Sequence, residues 1–204
     1  KVDGRTTFGL KDRSWGIRPV GETYTGGAPL AEFQALHFCW MPIHWENECS
    51  LAGWFEDGAG HQWHNDQAFL PHYPSTEAIP GTVDPNARVW QGKVEHQLTM
   101  IPGTRRARAA VVTMHDKSGE SMAVHLEPVL VHRMKGLGYQ HPHWGHGKWQ
   151  GELAIAGESW KDSDLDPLAL ENLHIQQIVK ATCGDREGHG VLEQMHIGPS
   201  TVLG

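Results

Sequence analysis

The chain of 204 residues is 39% hydrophobic and 20% charged, with a formal net charge of −7, nine tryptophans and fifteen histidines. Its apolar content is enough to bury a core in one domain, and its acidic balance argues against a nucleic-acid or anionic-membrane partner. No apolar run approaches the ~18 residues of a membrane span, and three cysteines at 39, 49 and 183 are too scattered for a disulfide framework, so a reducing, cytoplasmic setting is expected.

In chain order, the first informative stretch is GLKDRSWGIRP at 9–19. It sets Lys11, Asp12 and Arg13 before Trp15, with Arg18 just beyond. A solvated turn does not need the tryptophan, and a core strand does not want the charges. Pairing of Asp12 with Arg13 or Arg18 over a Trp15 wall is expected, because an arginine both stacks on indole and holds a carboxylate bidentately. A corner that closes one end of a barrel, with Trp15 as plug and an arginine as cap, is the alternative.

Residues 32–45, EFQALHFCWMPIHW, are rich in β-formers. Alternation places Phe33, Ala35, His37, Cys39, Met41, Ile43 and Trp45 on one face, where His37 is the lone titratable group. Leu36, Phe38, Trp40 and His44 take the other face, so the strand should be covered on both sides. SLAGWF and HQWHNDQAFL flank the turn EDGAG at 56–60. The stretch 71–89 has four prolines and no periodicity, as in a loop that covers a cavity mouth. KVEHQLTMI at 93–101 alternates cleanly, with Val94, His96, Leu98 and Met100 on one face. RRARAAVVTMH, the turn DKSGE and SMAVHLEPVLVHRM follow as further strands and a hairpin.

The loop HPHWGHGKWQGE at 141–152 brings His141, His143 and His146 together, a weaker metal reading, since Glu152 stands too far on to complete a cupin-like set. DPLALENL at 166–173 is the one helix candidate. LHIQQIVKAT, the turn GDREGHG and VLEQMHIG close the chain. In the last, Val191, Glu193, Met195 and Ile197 share a face on which Glu193 is the one charge. A carboxylate there needs a partner, such as Arg13 or Arg18, or a raised pKa suited to acid–base work. Eight to ten strands joined by tight turns give an all-β class: one domain over 1–204 built as an antiparallel lipocalin-like β-barrel or a strongly bent β-sandwich. Neither a glycine-rich phosphate cradle nor a nucleophile elbow is present, and Cys39 between Phe38 and Trp40 reads as core packing. No cofactor is expected.

DRSWGIRP at 12–19 resembles the aspartate–x–serine–tryptophan–glycine signature of a superfamily of lipocalin-like proteins. That superfamily includes AttH-like proteins, hydroxyneurosporene synthase (carotenoid hydratase) and related hydratases and cyclases of isoprenoids, and in particular bacterial members carrying RD(H/R)SWGxR. GHGVLEQMHIGP at 188–199 looks like their C-terminal strand, with a glutamate after a G-x-G-x-L run. Where many relatives have histidine after the aspartate, this chain has Arg13. The resemblance implies a β-barrel cavity for an apolar molecule, in a chain that is one complete domain or one half of a longer two-half protein.

Two functions follow. The first is a cofactor-free hydratase, dehydratase or isomerase of a terpenoid, steroid or polycyclic molecule. Asp12, Glu193 and His37 would move protons, and Trp15, Trp40 and Trp54 would form walls, with Arg13, Arg18 and His44 as further ligand contacts. The second is a carrier or sensor of the same kind of molecule; a histidine-ligated metalloenzyme ranks below both. Strands near the two ends of a closed barrel are neighbours, so DRSWGIR is expected beside VLEQMHIG.

Overall fold

A computed structural model describes residues 9–10, 35–81, 83–136, 141–145 and 148–203. Asp12, Arg13, Trp15 and Arg18 lie outside the described residues. The strands are β1 (Leu36–His44), β2 (Glu48–Glu56), β3 (Gln62–Pro71), β4 (Arg88–Trp90), β5 (Val94–Met100), β6 (Ala107–His115), β7 (Ser121–Arg133), β8 (Ile175–Cys183) and β9 (Arg186–Ile197). All pair antiparallel in one sheet of order β4-β3-β2-β1-β9-β8-β7-β6-β5, curled into a half-barrel. The alternation expected along β1 and β5 is present. His37, Cys39, Met41 and Ile43 are buried while their neighbours are half-buried, and Val94 and Leu98 are buried between exposed Glu95, Gln97 and Thr99.

The concave face is a packed core. Met41 and Ile43 from β1, Trp54 from β2, Val112 and Met114 from β6, Val124 from β7, Val179 from β8 and Leu192 from β9 fill it with almost no solvent contact. The first and last described strands, β1 and β9, do pair, but in the middle of the sheet rather than at a closing seam. The seam lies between the β3–β4 edge and β5. Glutamine side chains bridge it: Gln62 Nε2 donates to the Val94 carbonyl (2.8 Å) and Gln67 Nε2 to the Gly92 carbonyl (2.8 Å), while Gln67 Oε1 accepts the His115 N–H (3.0 Å). Exposed backbone edges are thereby tied without a continuous ladder.

Two strands carry a proline in mid-run, where a ladder hydrogen bond must be lost. The β1–β9 pairing skips from Trp40↔Glu193 to Ile43↔Gly190 around Pro42, and the β7–β8 register shifts between Pro128 and Leu130. These interruptions give the long strands places to bend. The helix candidate at 166–173 is instead a turn, in which the Ala169 N–H donates to the Asp166 carbonyl (3.3 Å), followed by a single 3₁₀ turn over Leu170–Asn172. Asp166 Oδ1 accepts the Leu168 N–H (2.9 Å) and Asn172 Nδ2 donates back to the Asp166 carbonyl (2.7 Å), a local loop that competes with helix propagation. No helix of the described residues is long and apolar enough to cross a membrane.

Gly190 is where β9 crosses closest to β1: a Cβ there would stand 2.0 Å from the Pro42 carbonyl oxygen and 2.7 Å from Ile43 Cδ1. Backbone cannot yield as a flexible side chain does. Gly190→Ala should therefore destabilise the protein by roughly 3 kcal/mol, read as a fall in the urea midpoint at unchanged slope.

Candidate functional site

Register assembles a polar cluster at one end of the core. On β1, His37 stands directly opposite Glu56 of β2 on one side and His196 of β9 on the other. All three side chains point into the half-barrel and are at most 1% exposed. From across the interior, β5 supplies His96, whose Nε2 lies 2.9 Å from Glu56 Oε2. The His96 ring stacks on Trp54, with centroids 5.1 Å apart and planes inclined by 17°. His37 and His196 approach to 5.6 Å between ring centroids.

Beside the cluster in the core, the amides of Gln177 and Gln194 are bonded. Gln177 Nε2 donates to the Ala107 carbonyl (2.9 Å), Gln194 Oε1 accepts the Ala107 N–H (3.0 Å), and Gln194 Nε2 donates to Gln177 Oε1. The cluster differs. His37 Nε2 meets the Pro199 carbonyl at 3.2 Å, yet His37 Nδ1, His96 Nδ1, Glu56 Oε1 and both ring nitrogens of His196 are buried without a hydrogen-bond partner. Buried polar atoms are normally paired, since each orphan forfeits its hydration.

Burial lowers the pKa of His37, opposed by the Pro199 hydrogen bond and by Glu56. Burial also pushes His196 down to about 3, reinforced by His37, His96 and the Arg105 guanidinium. Both rings are thus held neutral. With Nε2–H of His37 given to Pro199, its Nδ1 presents a lone pair to the interior. With Nε2–H of His96 given to Glu56, the carboxylate orients that ring, and Nδ1 is the atom left facing the interior without a partner.

A cleft of about 530 Å³ reaches this pair along the seam, lined by Glu56, Gln62, Val94, His96, Val111 and Val202 among others. No described residue of 72–89 lines it, so the expected covering loop lies elsewhere; the C-terminal segment borders it instead. The Thr201 N–H donates to the Gly58 carbonyl (2.8 Å), and Val202 packs where a Cβ on Gly60, at φ +82°, would fall 2.9 Å from Val202 Cγ1.

The expected site residues separate onto two faces. His37 and Trp54 belong to the interior. Trp40, His44 and Glu193 stand on the other face, Trp40 beside Glu193 across β1–β9 and over Gly53. The sequence reading put Glu193 and His37 at one cavity, and the sheet stands between them. On β9 it is Leu192, Gln194 and His196 that face the core, the parity opposite to the one that the three apolar residues Val191, Met195 and Ile197 suggest. Glu193 Oε1 lies 2.5 Å from His174 Nε2, and Glu193 Oε2 accepts from Gln176 Nε2 at 2.9 Å. Sequence reasoning missed Glu56, taken as part of a turn, and His196. It placed His96 on the apolar face of its strand without giving it a role, and that placement was the available signal. In the 141–152 loop, His141 Nδ1 accepts the N–H groups of His143 and Trp144 (both 3.1 Å), which commits it to the turn; His146 lies outside the described residues.

A family model described as a family of unknown function, DUF8625, matches residues 1–204. The chain belongs to that family. No curated protein and no solved structure matches it.

The neutral interior of this DUF8625 chain has a consequence for stability. The unfolded chain binds a proton at His196 near pH 6.5, whereas the folded chain resists until about pH 3, so stability falls as pH drops through that window. Between pH 7 and pH 5, His196 alone should cost about 2 kcal/mol of unfolding free energy. The wild-type urea midpoint should therefore fall more over that interval than that of His196→Gln, and equal falls would refute the assignment.

Proposed function

We propose that the protein binds a small, largely apolar molecule in the seam cleft and moves a proton between it and the Glu56–His96 pair. The reaction class is cofactor-free hydration, dehydration or isomerisation of a terpenoid, steroid or polycyclic compound. The observation that carries the reading is the concentration of orphaned buried donors and acceptors at His37, Glu56, His96 and His196, beside the bonded amides of Gln177 and Gln194. Groups kept unsatisfied in a low-dielectric setting are available to a ligand at no cost in broken protein hydrogen bonds. His96 is the proton carrier and Glu56 its orienting partner, while neutral His37 and His196 accept hydrogen bonds from a substrate hydroxyl. Trp54, flat against His96, stabilises positive charge as it develops on the ring or on a carbocation nearby. The likeness of DRSWGIRP to hydratases and cyclases of isoprenoids supports the substrate class.

The second reading is a carrier or sensor of the same molecule. It is favoured by the filled concave face, where Met41, Trp54 and Met114 leave a rigid wall rather than a deep cup. Native mass spectrometry of protein drawn from its own host identifies the bound molecule. With that molecule in hand, Glu56→Gln and His96→Asn should each lower turnover by ~100-fold or more while circular dichroism stays that of the wild type. Binding without turnover, at an affinity the two variants leave unchanged, would select the carrier.

A further inference from the structure

At the far end of β1 from His37, three side chains converge on the outer face of the sheet. His44 and Cys49 are directly opposed in the β1–β2 register, and His72 follows β3, whose Leu70 pairs with Cys49. Cys49 Sγ lies 3.1 Å from His44 Nδ1 and 3.4 Å from His72 Nε2, and the three atoms all fall within 4.8 Å of one another.

The hydrogen bonds behind the rings decide what these atoms offer. His72 Nδ1–H donates to the Glu46 carbonyl at 3.1 Å, which leaves Nε2 as a lone pair aimed at the sulfur. His44 is bonded to the backbone of Gly9 in the sense that favours its protonated form, so that ring too gives an N–H to a carbonyl, and its Nδ1 is on Cys49. A thiol has one proton. It satisfies one of two lone pairs and leaves the other facing sulfur. A cation at the centre satisfies all three. Metal-binding histidines characteristically donate their remote N–H to a carbonyl or carboxylate, as both rings do here. A tetrahedral zinc ion, with bonds of about 2.3 Å to sulfur and 2.0–2.1 Å to nitrogen, needs sulfur–nitrogen separations of roughly 3.5 Å, close to those present.

We propose that His44 Nδ1, Cys49 Sγ and His72 Nε2 form a binding site for a divalent cation of the zinc class. On loading, Cys49 releases its thiol proton to solvent and coordinates as thiolate. The fourth position opens to solvent, since His72 is exposed, and is taken by water or an external ligand. The ion clips the β1–β2 hairpin to the start of the chain that follows β3. The cluster and the interior Glu56–His96 pair share no residue, so the site stands or falls independently of the catalytic reading.

The test uses the full chain stripped with chelator. Titration with Zn²⁺ should give one equivalent per chain, and Co²⁺ should produce a thiolate-to-metal charge-transfer band with the visible spectrum of a tetrahedral ion. Cys49→Ser should abolish the charge-transfer band, and His72→Ala should weaken Zn²⁺ binding by roughly 100-fold. His143→Ala should change nothing. A measurement on the wild type guards against variants that fail to fold: Zn²⁺ should protect Cys49 from alkylation and leave the rate at Cys183 unchanged. Absence of the charge-transfer band in the wild type, or equal protection of Cys183, would overturn the site. So would loss of binding in His143→Ala as large as in His72→Ala.

Discussion

The register of β1 against its two neighbours is the constraint from which the rest of the molecule follows. β1 sits centrally, bonded to β2 on one side and β9 on the other, and its parity is fixed because Cys39, Met41 and Ile43 are fully buried. A slip of one residue would turn those side chains outward and bring Phe38, Trp40 and His44 into the core. Holding the apolar set inward carries His37 inward as well. The same pairing then delivers Glu56 and His196 to either side of it. The polar cluster is thus tied to the hydrophobic burial that orders the strand.

That coupling explains how an energetically poor arrangement persists. Several buried polar atoms without partners each cost on the order of 1–3 kcal/mol. The surrounding core of aliphatic, methionine and tryptophan side chains outweighs this, because each large side chain fully buried contributes on a similar scale with opposite sign. The contrast with Gln177 and Gln194 is informative. Those amides serve both backbone groups of Ala107 and one another, which makes them a closed structural knot. Glu56 and His96 are paired, but each keeps an atom in reserve. Strain of this kind, held in place by its surroundings, is a common mark of a working site.

The two ends of β1 carry different chemistry. His37 opens onto a buried cluster of imidazoles and a carboxylate, where burial lowers the pKa of His37 and His196. His44, on the opposite face, meets a thiol and an exposed imidazole. A strand rises ~3.3 Å per residue, so the seven steps between the two histidines separate the clusters by roughly 20 Å and the sheet itself stands between them. The Trp40–Glu193 pair lies along the outer face between those ends, with Glu193 satisfied by His174 and Gln176.

The sequence by itself determined the all-β class and the location of most strands, because period-two alternation and glycine- or proline-marked turns are local signals. It also determined that His37 and His96 lie on apolar faces, since each is flanked at i±2 by aliphatic or sulfur-containing residues. It did not determine the parity of β9: Val191, Met195 and Ile197 share one face of VLEQMHIG and only Leu192 the other, so alternation favours the face opposite to the one that carries Gln194 and His196 into the core. Nor did it reveal Glu56, whose place at the end of a strand and the start of a turn hides its inward direction. Only the tertiary structure decided those points: register across three strands selects which face of β9 is inside, and curling of the sheet brings β5 across to β2. It alone joined His44, Cys49 and His72, because hairpin pairing, unlike alternation, acts between residues that no local pattern connects.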